Sequence, residues 1–69
     1  MTQKELLYLE DAYGHEKNII SICNEFINML DDEDLISFFE KELKKHEKML
    51  EELFNKLEVK SNEWSNNYG

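Results

Sequence analysis

The sequence contains no proline, only two glycines (Gly14 and Gly69), a single cysteine (Cys23) and little positive charge. Lack of proline and glycine removes the strongest helix breakers and leaves few residues suited to tight turns, which favours long uninterrupted helices over strands. A lone cysteine excludes an internal disulfide. Its apolar neighbours make Cys23 a buried thiol suited to a reducing compartment. The net charge of −8 leaves no basic face for phosphate, so a nucleic-acid partner is not expected, and an anionic membrane surface is disfavoured for the same reason. No apolar run approaches the roughly 20 residues of a membrane span. The opening MTQKELLYLED lacks the charged segment and apolar core of a signal peptide. These absences lead to the expectation of a soluble cytoplasmic protein.

The chain does have periodicity. Its 69 residues suit one small domain, near the size at which a single core is marginal. Thr2 and Glu5 have capping-box spacing. From there Leu9, Ala12, Ile19, Cys23, Phe26 and Leu30 recur in steps of three and four, flanked by Leu6, Tyr13, Ile20 and Ile27. Asp31 to Asp34 form an acidic run. It lacks the glycine and the ligand spacing of a calcium loop, and it reads as a helix N-cap with first-turn acids. A second stripe follows through Leu35, Phe39, Glu42, His46, Met49, Leu53 and Lys56, with Ile36, Leu43, Leu50 and Leu57 alongside. The charges between them form a solvated face laced with pairs such as Glu40–Lys44 and Glu52–Lys56. Gly14, inside the first stripe, implies a close approach or a slight bend.

The expected fold is all-α: an antiparallel two-helix hairpin over residues 1–60, with helices at about 2–30 and 33–60. A polar tail covers 61–69, where Trp64 and Tyr68 are the only large side chains for docking. Two helices cannot cover Leu7, Ile20, Ile22, Phe38 and Phe54 as well as their own seam, and Ile20, Ile22, Phe38 and Phe54 are read as the contact. Those residues therefore predict a homodimer interface that completes a four-helix bundle.

Two titratable residues interrupt the stripes, Glu16 in the first and His46 in the second, equally far from the turn at Asp31–Asp32. Glu42 lies one turn before His46 on the same face, while His15 points elsewhere. Inward carboxylates and imidazoles are how four-helix bundles hold iron or manganese, which makes Glu16, Glu42 and His46 the candidate ligands for iron, manganese or zinc. The spacing argues against this, because diiron bundles use Glu-x-x-His and the residue three before His46 is Leu43. The simpler reading is a Glu16–His46 hydrogen bond that fixes register, with no cofactor. No nucleophile–base pair and no glycine-rich phosphate loop point to catalysis, so no enzyme is expected.

The run Tyr8-Leu9-Glu10-Asp11-Ala12 followed by Glu16-Lys17 resembles the opening of the spore coat protein F family. The likeness continues through the acids before Leu35, then Phe39, His46, Leu53-Phe54 and Leu57, to Lys60 and Trp64. It covers residues 5 to 64 with short, helix-typical motifs. The resemblance implies a ferritin-like half or whole bundle, a structural, sporulation-associated role, and Glu16 and His46 at the metal positions of that superfamily. The expected function is therefore structural self-assembly, in the cytoplasm or on the spore, with other coat or helical proteins as further partners. The alternatives are a metal-binding bundle and an adaptor that docks partner helices.

Overall fold

A computed structural model describes the backbone of residues 1–68 and the side chains of residues 1–60. It is an all-α helical hairpin of two helices, α1 (Gln3–Met29) and α2 (Glu33–Tyr68), packed against each other. Thr2 caps α1: its hydroxyl accepts from the Glu5 N–H at 3.1 Å, and its own N–H donates to Glu5 Oε1 at 2.8 Å. That backbone hydrogen bond, with the Thr2 hydroxyl adding to it, holds the Glu5 carboxyl below its ordinary range.

The sign of this shift gives a prediction. A lowered pKa in the folded chain means that the cap's contribution is present above the unfolded pKa and is lost as pH falls through the lowered value. In an NMR titration, Glu5 is expected to protonate below the pH at which a free glutamate does, with the first turn of α1 loosening in the same range. An ordinary Glu5 titration would contradict the reciprocal cap.

The turn occupies residues 30–32. Leu30 turns to extended backbone, and its N–H donates to the Phe26 carbonyl at 3.0 Å, closing α1. Asp32 opens α2, its Oδ1 accepting from the N–H groups of Asp34 at 2.9 Å and Leu35 at 3.1 Å. Glu33 and Asp34 then sit in the first turn, where the helix dipole favours acids. The acidic run is thus a cap with its carboxylate turned onto the backbone. So short a link forces the helices antiparallel. No breaker follows Lys60 before Gly69, and α2 takes in the polar segment through Tyr68. The side chains of the 61–69 tail, with the docking read for Trp64 and Tyr68, lie outside the described residues.

The seam between the helices follows a strict heptad. The heptad positions are Leu6, Leu9, Tyr13, Glu16, Ile20, Cys23 and Ile27 on α1 with its C-cap Leu30. On α2 they are Ile36, Phe39, Leu43, His46, Leu50, Leu53, Leu57 and Lys60. Ala12, Ile19 and, on α2, Glu42 are partly shielded beside them. The pattern differs from the sequence reading of α2: Leu35, Met49 and Lys56 are exposed, and the residues read as flanking take the seam. Both rows keep the 3.5-residue period of a two-helix seam, but the row through Leu35 and Met49 also carries Glu42 and Lys56, whereas Ile36, Leu43, Leu50 and Leu57 are all aliphatic and lose more from staying in water. Ile20, read as an interface residue, belongs to this seam.

A hairpin two helices thick has almost no interior. Among the described residues Cys23 alone is buried, at 6 % exposure. Most of the exposed large apolar side chains fall on one side of the seam, Tyr8, Ile22, Phe26 and Met29 from α1 and Leu35, Phe38, Met49 and Val59 from α2, while Leu7 and Phe54 are exposed on the other. In an antiparallel heptad pair the corresponding flanks of both helices fall on the same side, so the first eight form one face. Ring contacts mark the two sides. Phe26 and Phe38 both meet Phe39 edge-on, at 5.2 and 5.3 Å, on the apolar face, while Tyr13 and Phe54 meet at 6.3 Å on the opposite edge. The four residues read as an interface are thereby separated: Ile22 and Phe38 share the face, Phe54 lies across from it, and Ile20 lies between the helices.

Gly14 makes no close approach within the hairpin. An added Cβ meets nothing within 4 Å, and its φ is not positive. Gly14→Ala is therefore expected to stabilise the chain by about 0.5–1 kcal/mol through a smaller loss of backbone freedom. The melting temperature should rise by roughly 2–8 °C. A fall would mean that the glycine is needed for a contact outside the hairpin.

Candidate functional site

The polar centre of the seam is built by register. Glu16 and His46 hold equivalent heptad positions on the two helices, and the short turn brings them to neighbouring levels. His46 Nδ1 donates to Glu16 Oε2 at 2.6 Å, a short contact of charge-assisted type. With the carboxylate accepting, the Nδ1 atom carries the hydrogen, and Nε2 faces the other way. There it stands 3.8 Å from Glu42 Oε2, too long for a direct hydrogen bond. Lys45 reaches the second oxygen of Glu42 at 3.4 Å. The result is a chain Glu16–His46–Glu42–Lys45, from the seam out to solvent.

Exposure falls steadily inward along this chain: the Lys45 side chain is 73 % exposed, His46 26 % and Glu16 15 %. Such a half-shielded pair interacts more strongly than a surface ion pair and loses less hydration than a fully buried one. A polar pair in the middle of a mostly apolar heptad has a well-attested use. It fixes register, because sliding either helix by a turn leaves both groups against apolar neighbours. Lys17 places its ammonium 5.7 Å from the centroid of the Tyr13 ring, so the pair's neighbourhood is polar on the α1 side too.

The three residues read as metal ligands do come together, around an imidazole and not around a common point. The two nitrogens of the ring diverge, with Glu16 at one and Glu42 beyond the other. A cation at either nitrogen would collect one carboxylate with His46, short of the three protein ligands usual even in open catalytic zinc sites. Among the described residues no group of three histidine, cysteine or acidic side chains is placed to hold a metal ion. Position 43, where a diiron bundle carries glutamate, holds a leucine in the seam.

Sequence reasoning placed Lys45 on the solvated outer face and did not join it to the site; its i,i+3 spacing from Glu42 was the available signal. His15 is exposed and turned away from the pair, on the flank that also carries Tyr8 and Ile22, as its offset from Glu16 indicated. Among the described residues no helix is long and apolar enough to cross a membrane. No family model matches the chain, and neither the curated proteins nor the solved structures give a match.

Proposed function

We propose that this chain is a structural protein that acts by self-assembly, two hairpins pairing through their apolar faces into a four-helix bundle, with no catalytic step. The observation that carries this reading is the mismatch between interior and surface. One residue is buried among those described, while eight large apolar side chains line one face. An exposed face this rich in large apolar side chains marks an interaction site, and two-fold pairing is its commonest use. The Glu16–His46 pair then holds each hairpin in the register that forms this face. Association with the spore coat is supported by the resemblance through Tyr8–Ala12, Glu16–Lys17 and Leu53-Phe54, and by a fold that suits such a role.

Light scattering at several concentrations, paired with thermal melts, tests self-assembly. A dimer whose melting temperature rises with concentration is expected, since subunits that bind only when folded stabilise by mass action. A monomer with a concentration-independent melt would overturn it. Coat association has its own test: the protein should appear during sporulation and fractionate with extracted coat. Its presence only in vegetative cells would refute that part and leave the bundle untouched.

A further inference from the structure

We infer that the apolar face docks a second copy in antiparallel orientation, the turn of one hairpin over the open end of the other, with Met49 on the two-fold axis. This deepens the self-assembly reading and rests on it. The charges that share the face with its apolar residues carry the inference.

Along that flank α2 reads Phe38, Glu42, Lys45, Met49, Glu52, Lys56, Val59, alternating steps of three and four. About Met49 the row is complementary to its own reversal. At 1.5 Å per residue, Glu42 and Lys56 stand about 10.5 Å to either side of Met49, and Lys45 and Glu52 about 6 and 4.5 Å. A copy turned end for end therefore sets Lys45 opposite the partner's Glu52 and Glu42 opposite the partner's Lys56. Each pair occurs twice. Phe38 meets the partner's Val59 by the same count, and Met49 meets itself.

The other helix agrees with the same axis. The ring pairs Phe26–Phe39 and Tyr13–Phe54 put Met49 level with about Lys17 on α1. Reversal about that level brings Phe26 against the partner's Tyr8 and Ile22 against the partner's Ala12, apolar on apolar. The alternative two-fold, with its axis along the helices, lays α2 on the partner's α1. On this flank α1 carries Glu5, Tyr8, Ala12, His15, Ile19 and Ile22, and its one acid, Glu5, sits at the end of the row with its carboxylate held in the Thr2 cap. Lys45 and Lys56 would lose water there and gain no opposite charge. Lys45, mostly exposed in the single hairpin, is free to swing from Glu42 toward a partner without disturbing the seam.

Two measurements on the full chain test this. Met49→Cys under mild oxidation is expected to give a disulfide-linked dimer. Val59→Cys should not, because its two copies lie roughly 30 Å apart across the axis. In the second measurement, Glu52→Lys sets two lysines opposite each other and should weaken the dimer about five- to tenfold, and adding Lys45→Glu should return it to within about threefold of the starting affinity. Both positions are exposed, so circular dichroism should show unchanged helix. A dimer that links through Val59→Cys as readily as through Met49→Cys, or one not rescued by the double reversal, would overturn the antiparallel docking while self-assembly stands. A monomer at every concentration would overturn both and leave the face to a helix of another protein.

Discussion

Phe38→Glu is expected to dissociate the assembly and take most of the cooperative helix with it, whereas Phe54→Glu leaves the oligomer intact. Both rings are about half exposed in the hairpin, at 54 % and 51 %, so exposure alone would rank them together. Their surroundings differ. Phe38 packs edge-on against Phe39, which packs on Phe26, in the centre of the turn end of the apolar face. A carboxylate at that point would be driven into the surface that the proposed assembly removes from water, once per protomer. Losing the ring's burial and stranding a charge should cost about 3–5 kcal/mol per protomer. That rivals the whole stability expected of a core this small. Phe54 lies on the opposite edge, touching Tyr13 at 6.3 Å, and its loss should cost about 1–2 kcal/mol without changing mass. Light scattering and circular dichroism on the two variants decide the matter. The reverse ranking would mean that the hairpins pair through the Tyr13–Phe54 edge.

The hairpin was legible in the sequence because every local signal agreed on it. The missing prolines, the Thr2–Glu5 box, the acidic cap at Asp32 and the two stripes all point to the same pair of helices. The seam of α2 was only partly legible. Two adjacent rows share Phe39, His46 and Leu53; one adds Leu35, Glu42, Met49 and Lys56, the other the aliphatic Ile36, Leu43, Leu50 and Leu57, so hydropathy favours the second. Both rows keep a 3.5-residue period, and which of them α1 covers is decided by the rotation of the helices against each other. The same limit explains why Ile20, Ile22, Phe38 and Phe54 were grouped as one interface. Each is a surplus apolar residue in the sequence, and only the relative rotation of the helices assigns them to a seam, a face and an opposite edge. The Glu16–His46 contact was legible because counting from the turn brings the two residues to within about one turn of each other, since rise per residue is equal in both arms. The reach of Lys45 to Glu42 was not, because i,i+3 pairs are common on any charged helix.

Removing either member of that polar pair alone is expected to destabilise the chain more than removing both. In His46→Leu, Glu16 keeps its seam position, 15 % exposed, with its partner gone and apolar neighbours around it. In Glu16→Leu the imidazole loses its 2.6 Å contact and keeps only the longer approach to Glu42. Each single change should cost about 1–3 kcal/mol, a range set by the desolvation of a polar group left unpaired and reduced by the water that still reaches the site. The double Leu variant completes both heptads and should recover most of the loss, so that the coupling between the positions is about 1–2 kcal/mol. Thermal melts of the four proteins close this cycle. Additive losses would show that the contact does not act as a pair. Register adds a second readout. With both positions apolar the helices can slide by a heptad, so the double variant is expected to gain stability relative to the singles and lose uniqueness, seen as broadened amide resonances. Melts with iron, manganese or zinc run on the same set separate the remaining reading. Register locking predicts no metal-dependent rise, and a rise in the parent chain that disappears in His46→Leu would make the pair a ligand set instead.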